Sequence, residues 1–277
     1  MGQRSILITG SSSGIGHDAA HALAARGWRV FATCRQEADC ERLRAEGLES
    51  FRLDHTDPAS IEAAVAEALA RTGGTLDVLY NNGAHAIGGA VEDTPAGALR
   101  AVFEANVVGV HDLTRRVIPV MRVQGHGRIV TCSSVLGFAA LPWRGAYNAS
   151  KFAIEGLMDT LRLELRGTSI HVVLLQPGPI TTRIRVNSQP HFERWIDWRS
   201  SALRDFYETR FLPRLYDDSG TPARFELPPA AVTRALIRAL TARRPQARYP
   251  ITVPTHLARV FATLLPGAVW DRMRAGW

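Results

Sequence analysis

Two residues four positions apart, Tyr147 and Lys151, have the side chains of an acid–base pair. Apolar residues at helical spacing and the lack of proline over 145–157 predict a helix, which places positions i and i+4 on one face. A phenol titrates at about 10 and is a poor proton donor at neutral pH. An ammonium about 4 Å away favours its anion by roughly 4 kcal/mol at an effective dielectric of about 20. The pair therefore predicts a tyrosine that exchanges a proton with a substrate.

The composition sets this lysine apart. The chain has 33 lysines and arginines, of which only Lys151 is a lysine. Arginine keeps its proton and spreads its charge, so it cannot replace a compact ammonium. The single lysine in an arginine-rich chain therefore indicates a chemical requirement. The alternative is a chance spacing on an ordinary helix, because Y-x-x-x-K is a weak pattern.

The elements that must position this pair alternate along the chain as apolar runs and helical patterns. This alternation predicts an α/β fold, a Rossmann-like doubly wound parallel sheet, in a single dinucleotide-binding catalytic domain over 1–277. Strands are expected at 5–9, 28–33, 50–53, 76–80, 127–132, 170–175 and 248–253. Helices are expected after Gly16 and at 37–46, 58–70, 98–123, from 145 onwards and at 228–242.

A glycine-rich turn follows the first strand and precedes a helical pattern at Gly10, Gly14 and Gly16. Glycines let a backbone approach a pyrophosphate, and a helix start offers free N–H groups and a positive dipole end. The alternative is a turn whose glycines are there only for steric reasons. The second strand ends at Arg35 without an acidic residue, and arginine accommodates a 2′-phosphate where an acid would bind the ribose hydroxyl. NADP is therefore favoured, with NAD possible.

Polar residues follow the later strands, at the edge where such sheets bind ligands. Asn82 follows the strand at 76–80, and Ser133 and Ser134 follow the strand at 127–132. Asn106 falls inside a long helical pattern, where it is either a buried hydrogen-bonding group or a surface residue. Ser133 is a rival for Ser134, but its side chain is expected on the other face of the strand end.

The pattern changes over about 183–226, where aromatic residues are dense between 192 and 216 and alternate with charges. It predicts a mobile helical substrate lid with an apolar inner face, and a packing insertion is the alternative. The aromatics are Phe192, Trp195, Trp198, Phe206, Tyr207, Phe211 and Tyr216. The segment at about 254–277 is amphipathic, and its apolar stretch from Val260 to Trp270, broken by Pro266 and Gly267, is too short to span a bilayer.

Composition excludes several classes of protein. The net charge is +7, but the arginines are scattered without interleaved aromatics, so we expect no nucleic acid partner. The three cysteines lack metal-ligand spacing, so we expect no metal, and they fit reduced thiols in a cytoplasmic protein. We expect no signal peptide, because the glycine motif begins so early, and no integral membrane span.

Together these residues resemble the motifs of the short-chain dehydrogenase/reductase family. Thr9-Gly10-x-x-x-Gly14-Ile15-Gly16 is similar to its cofactor signature, and Tyr147-x-x-x-Lys151 to its catalytic pair. Asn81-Asn82, Asn106, Pro177-Gly178 with Thr182, and the spacing of Ser134 from Tyr147 also match. The resemblance covers about residues 4–182 closely. One departure is Gly83-Ala84, where the family usually has Ala-Gly. Ala84 would resist a positive φ, so a different loop path near the adenosine is expected.

The resemblance implies roles for individual residues. Tyr147 would transfer the proton, Lys151 would assist it and bond the nicotinamide ribose, and Ser134 would hold the substrate oxygen. Asn106 would anchor a water that links the lysine to solvent. The implied cofactor-binding residues, with Asp54 at the adenine, are Gly10, Ser12, Gly14, Ile15, Arg35, Asp54, Asn82, Tyr147, Lys151, Pro177, Gly178, Ile180 and Thr182. A homodimer or homotetramer through the helices at roughly 98–123 and 147–166 is implied as well.

The function expected from these observations is hydride transfer between NADP(H) and a carbonyl or secondary alcohol of a small apolar substrate. Within the family the chain resembles hydroxysteroid and retinol dehydrogenases. One alternative is a nucleotide-sensing or scaffold protein that keeps the fold without turnover. Another gives the C-terminal segment a role in peripheral membrane contact.

Overall fold

The computed structural model describes residues 3–275. The strands are β1 Ser5–Ile8, β2 Arg29–Ala32, β3 Val78–Asn81, β4 Gly127–Cys132, β5 Ile170–Gln176 and β6 Arg248–Pro250. The helices are α1 Gly14–Ala24, α2 Glu37–Ala45, α3 Pro58–Thr72, α4 Ala96–Phe103, α5 Gly109–Gln124, α6 Gly145–Glu164, α7 Ile184–Trp195, α8 Arg204–Phe206, α9 Leu212–Leu215, α10 Ala230–Thr241, α11 Val253–Leu264 and α12 Gly267–Ala275. A 3₁₀ turn lies at Val135–Gly137, and π-helical turns lie at Glu104–Val108 and Tyr207–Phe211.

The six strands form one parallel sheet in the order β2-β1-β3-β4-β5-β6. The order reverses direction between β1 and β3, so the connections leave a crevice beyond the carboxyl ends of these two strands. The glycine-rich turn follows β1 and Asn82 follows β3, so both lie at this crevice. The doubly wound parallel sheet expected from the sequence is confirmed.

Alternate residues of each strand bury opposite faces of the sheet, as the period of a strand requires. Ile6, Ile8 and Tyr80 pack in one layer with α1, α2 and α10. Leu7 and Leu79 pack in the other layer with α3, α5 and α6. The first layer also holds the three cysteines, all buried and free: Cys34, Cys40 and Cys132. Burial on both faces explains why these strands read as continuous apolar runs.

The prediction of a strand at 50–53 is wrong. This segment makes only two isolated bridges to the edge of the sheet, Phe31 with Glu49 and Cys34 with Arg52. Between the bridges, the Ser50 hydroxyl donates to the carbonyl oxygen of Ala32 at 2.6 Å. A side chain thus occupies the acceptor that a backbone N–H would use in a regular ladder, and such local bonds compete with sheet pairing.

Two other boundaries also differ from expectation. The helix expected at 98–123 is divided into α4 and α5 by the π-helical turn Glu104–Val108, which contains Asn106. The last strand stops at Pro250 because α11 begins three residues later, with Pro254 in its first turn. The C-terminal segment forms two helices, and Trp270 of α12 packs against Phe261 of α11. Among residues 3–275, no helix has both the length and the apolarity that crossing a bilayer needs.

Leu79 of the central strand β3 is 0% exposed. Truncating its side chain should therefore strongly reduce the stability of the protein. Leu79→Ala should lower the free energy of unfolding by about 2–5 kcal/mol because it leaves a cavity between β3 and the helices below it. Urea unfolding followed by circular dichroism measures this loss. Val123→Ala is the control, since Val123 is 92% exposed and its truncation should change stability by less than about 0.5 kcal/mol. Equal losses in the two variants would contradict the assignment of the core.

Candidate active site

The first two turns of α6 carry Tyr147 and Lys151. Lys151 is 4% exposed, and its Nζ donates a hydrogen bond to the backbone carbonyl oxygen of Cys132 at 2.8 Å. The same Nζ lies 5.5 Å from the centroid of the Tyr147 ring. The helix therefore brings the two side chains to one side, and the end of β4 fixes the position of the ammonium.

The two serines after β4 lie in different surroundings. Ser134 precedes the 3₁₀ turn Val135–Gly137, and its Oγ accepts a hydrogen bond from the backbone N–H of Leu136 at 3.1 Å. Ser133 Oγ is packed against Gly137, and it is one of the buried polar atoms of residues 3–275 that have no hydrogen-bond partner. Because Ser134 Oγ acts as an acceptor in its turn, its own O–H can donate to a second group.

Asn106 is buried and makes three hydrogen bonds from the π-helical turn. Its Oδ1 accepts from the backbone N–H of His85 at 3.0 Å, and its Nδ2 donates to the carbonyl oxygen of His85 at 2.8 Å and to Ser150 Oγ at 3.2 Å. Ser150 in turn donates to the carbonyl oxygen of Tyr147. Of the two alternatives that the sequence left open, the buried hydrogen-bonding group is therefore correct. π-Helical turns are frequent at functional sites, and this one connects the loop after β3 to α6.

The glycine-rich turn is closed by contacts that leave little room for side chains. A Cβ on Gly16 would lie 2.4 Å from the carbonyl oxygen of Gly10 and 2.6 Å from Asn82 Nδ2. Gly10 itself has φ +68° and faces Gly83, whose Cα would be 2.6 Å from an added Cβ. Asn82 Nδ2 donates to the carbonyl oxygens of Thr9 and Gly10 at 3.0 and 3.1 Å. Asn82 thus holds the turn after β1 in place through its side-chain amide.

The loop after β5 lies over this turn. A Cβ on Gly14 would meet Thr182 Cγ2 at 3.2 Å. The carbonyl oxygen of Pro177 accepts from the backbone N–H of Val135 at 2.8 Å, which ties the loop to the residue after Ser134. Gly178 packs so closely on the start of α11 that a Cβ would lie 2.1 Å from Thr252 Oγ1. The remaining predicted residues of this group, Ser12, Ile15 and Ile180, are all partly buried.

The predicted adenosine side contains Arg35 and Asp54. Arg35 is exposed immediately after the second strand. The side chain of Asp54 bonds residues of its own loop. Its Oδ1 accepts a hydrogen bond from the backbone N–H of Thr56 at 2.9 Å and another from the Thr56 hydroxyl at 2.8 Å. Ala84 does not have a positive φ, since outside glycine the positive φ angles within 3–275 belong to Trp143 and Phe225 alone. Ala84 therefore fits its turn without backbone strain.

Sequence reasoning missed two histidines at the same edge. The His85 ring stacks on that of His191 from α7, with centroids 4.2 Å apart. Burial, His191 and the charge of Arg35 together lower the pKa of His85 to about 4, and burial and Arg35 lower the pKa of His191 as well. Both rings are therefore neutral at pH 7. The position of His85 just after the polar end of β3 was the available signal, whereas only the fold brings His191 to it.

The aromatic residues of the lid form a cluster with the body of the protein. Phe192 and Tyr207 are 1% and 0% exposed, and they pack with residues of the loop after β3 and of α4. The Tyr207 hydroxyl donates to Asp93 Oδ2 and accepts from the backbone N–H of Ala90, both at 2.8 Å. Burial raises the pKa of Tyr207, so the hydroxyl keeps its proton and the donor role in this contact.

The geometry at the start of α1 fits a dinucleotide. Ser13 precedes the helix in an extended conformation, and the first-turn N–H groups of a helix form a binding site for anions. Gly10, Gly14 and Gly16 let the turn pack this closely, since an added Cβ at each would meet a neighbouring residue. The crevice between β1 and β3 thus offers a phosphate cradle on the same sheet edge as Tyr147 and Lys151.

Comparisons with known proteins agree with this geometry. Residues 4–192 match the family described as short chain dehydrogenase. The chain is 37% identical over 275 residues to an uncharacterised oxidoreductase, YbbO, of Escherichia coli K12, covering 99% of this chain and 95% of that protein. It is 32% identical to another uncharacterised oxidoreductase, YusZ, of Bacillus subtilis, covering 98% and 97%. A short-chain dehydrogenase/reductase from Burkholderia phymatum, solved in complex with NAD, superposes with a TM-score of 0.78 at 27% identity, covering 98% and 95%.

The crowding around Gly16 predicts that Gly16→Ala weakens binding of the nicotinamide cofactor at least about tenfold, because the methyl group must push Gly10 or Asn82 out of the cradle. Titration of the intrinsic protein fluorescence with NADPH measures the affinity. Gly156→Ala is the matched control, because this glycine of α6 has open space around an added Cβ and should bind the cofactor as the wild type does. Wild-type affinity in Gly16→Ala, with its fold intact by circular dichroism, would rule out this cradle.

Proposed function

The chain belongs to the short-chain dehydrogenase family, and on that premise we propose that it is an NADP-preferring enzyme acting on a carbonyl or secondary alcohol of an apolar substrate. Membership makes it an oxidoreductase that uses a nicotinamide cofactor. We propose in addition its preference for NADP, its substrate class and the roles of its individual residues.

The observation that carries the proposal is the position of the Lys151 ammonium. It is buried, is held by the Cys132 carbonyl oxygen, and lies 5.5 Å from the centre of the Tyr147 ring. A buried ammonium interacts strongly with nearby charge because water does not screen it. We propose that it acts on Tyr147 while that residue exchanges a proton with a substrate as a general acid–base catalyst.

When bound, the nicotinamide cofactor supplies or accepts the hydride. In the reducing direction, Tyr147 gives its hydroxyl proton to the substrate oxygen, and in the oxidising direction it takes the proton back. Ser134 donates its O–H to the same oxygen, since its Oγ is already oriented by the N–H of Leu136. An ammonium has three donors. Lys151 gives one to Cys132 and directs the others toward the tyrosine and the ribose.

Asn106 acts as a positioning residue in this scheme. Its side chain joins the backbone of His85 to Ser150, and Ser150 bonds the carbonyl oxygen of Tyr147. These contacts fix the first turn of α6 relative to the loop after β3. We propose that the water implied by the resemblance is bound next to this turn and links Lys151 to solvent.

The preference for NADP rests on Arg35. Its guanidinium is exposed at the end of the second strand, and its charge reaches the edge occupied by His85 and His191. A guanidinium binds phosphate through paired N–H donors. The carboxylate of Asp54 is engaged by Thr56, so Arg35 is the charged group that we assign to a 2′-phosphate.

An apolar substrate is supported by the lining of the lid. The cluster around Phe192 and Tyr207 includes several partly buried aromatic and aliphatic side chains of the lid, together with Trp143 from the loop before α6: Trp195, Trp198, Leu203, Phe206, Phe211 and Leu212. Aromatic side chains supply large apolar contact area at binding sites. We therefore propose that α7–α9 cover the substrate as a lid.

Tyr147→Phe tests the proposed acid–base role. It should lower kcat at least about 100-fold, because general acid–base catalysis contributes that much or more, while NADPH affinity changes less than about twofold. Oxidation of NADPH with a panel of apolar ketones and aldehydes measures the rate. Tyr216→Phe is the control, since its hydroxyl bonds Glu193 on the exposed side of the lid, and it should keep wild-type rates. A wild type that binds NADPH but turns over no member of the panel would favour the sensor or scaffold alternative.

Arg35→Ser tests the cofactor preference. Loss of the guanidinium should weaken NADPH binding by at least about tenfold, since a charge-assisted contact is worth about 1.5–3 kcal/mol, and should leave NADH binding nearly unchanged. Arg122→Ser, an exposed arginine at the opposite edge of the sheet, should change neither affinity. Equal weakening of both cofactors in Arg35→Ser would show that the residue does not read the 2′-phosphate.

A further inference from the structure

Three side chains outside the active site converge on one point: His17 and His21 of α1, and Glu46 just after α2. The Nε2 atoms of both histidines lie 2.8 Å from the same oxygen, Glu46 Oε2. The two rings have centroids 4.6 Å apart, and the three donor atoms lie within 4.8 Å of one another. We propose that these residues bind a divalent transition-metal ion, with zinc as the ion that best fits the donor set.

The donor set has the composition of a three-ligand zinc site. Two imidazole nitrogens and one carboxylate oxygen are ligands that zinc prefers, and a three-residue site leaves a fourth position for water. Histidines at i and i+4 point from the same face of a helix. Such an arrangement fixes two ligands without help from the rest of the chain, and Glu46 is the third.

The distances require only a small adjustment. Ligand atoms about 2.0–2.1 Å from a tetrahedral ion are about 3.3 Å apart, so each Nε2 has to retreat about half an ångström from Oε2. The side chains of His17, His21 and Glu46 are 34%, 39% and 29% exposed, and exposed side chains have room for this movement. The histidines also line an open cleft of about 700 Å³ that reaches Gly14 and Thr182, through which an ion can enter.

The charges at this point also suit a cation. Hydrogen bonds from His21 and His17 lower the pKa of Glu46 to about 2, so the carboxylate is ionised throughout the neutral range. Arg42 donates to the other oxygen, Oε1, at 2.9 Å, which leaves Oε2 directed at the two rings. Binding of the ion replaces the hydrogen on each Nε2, either by a change of tautomer or by release of a proton, so affinity should fall at acid pH.

The expectation that the chain binds no metal rested on the spacing of its cysteines. The H-x-x-x-H pattern of 17–21 was present in the sequence, but two histidines at helical spacing are not a site by themselves. Glu46 lies 25 residues beyond His21, and only the packing of α2 beside α1 brings its carboxylate to the rings.

The test is calorimetric titration of the tag-free, chelator-stripped chain with zinc chloride. We expect one ion per chain, and at least about tenfold weaker binding in His17→Ala, His21→Ala and Glu46→Gln, since even the loss of an outer-sphere partner costs about 10–100-fold. His126→Ala is the matched control. Its Nε2 makes the same kind of contact, 2.9 Å from Asp77 Oδ1, with only one imidazole present, so its removal should leave the zinc affinity unchanged.

Substitution with Co²⁺ identifies the ligands. The absorption spectrum should show the bands of a low-coordinate ion without a thiolate charge-transfer band, because Cys34 and Cys40 are buried elsewhere. Zinc should also raise the melting temperature of the wild type but not that of the His17→Ala/His21→Ala double variant. Three results would overturn the proposal: no zinc binding by the wild type, a thiolate band, or a loss of affinity in His126→Ala as large as in His21→Ala. Circular dichroism of each variant without metal controls for folding.

Discussion

A buried ammonium is the constraint on which the active site depends. Moving an ammonium out of water costs several kcal/mol unless the surroundings replace its hydration, and Lys151 is 4% exposed. The Cys132 carbonyl oxygen at the end of β4 and the ring of Tyr147, one helical turn away, offset this cost. These contacts require α6 to pack against the end of β4 in one register. The packing of Gly137 on the Lys151 turn, where a Cβ would lie 3.2 Å from the Lys151 carbonyl oxygen, maintains that register.

The sheet then determines what lies beside the ammonium. Because all six strands are parallel, every β-to-α connection emerges at the same edge. The glycine-rich turn, Asn82, Ser134 and the loop at Pro177 therefore meet at that edge although they are far apart in sequence. Hydrogen bonds between loops refine their positions: Asn82 fixes the turn after β1, and Val135 fixes the loop after β5. The fold and the order of these loops were predictable because strand runs and glycine positions are local signals.

Other features were not predictable because they depend on individual side-chain hydrogen bonds and contacts that form only in the folded chain. The segment 50–53 has the composition of a strand, yet one serine hydroxyl takes the carbonyl that pairing needs. The helix pattern around Asn106 gives no sign of a π-helical turn, which places its amide against the backbone of His85. The stacking of His85 on His191 joins the loop after β3 to α7, more than a hundred positions apart in sequence. In each case one polar side chain determines the local structure through its contacts. The periodicity of the sequence gives no signal for such contacts.

Helix α1 connects the two sites discussed above. Its start is the proposed phosphate cradle, and its next turns carry His17 and His21. Arg42 of α2 bridges the two regions, since it donates both to Glu46 Oε1 and to the carbonyl oxygen of Ser12 in the glycine-rich turn. An ion on Glu46 Oε2 withdraws charge from the carboxylate and weakens the bond from Arg42 to Oε1, and by linkage the position of Arg42 affects the affinity for the ion. The shared arginine is thus the physical contact between the proposed metal site and the glycine-rich turn.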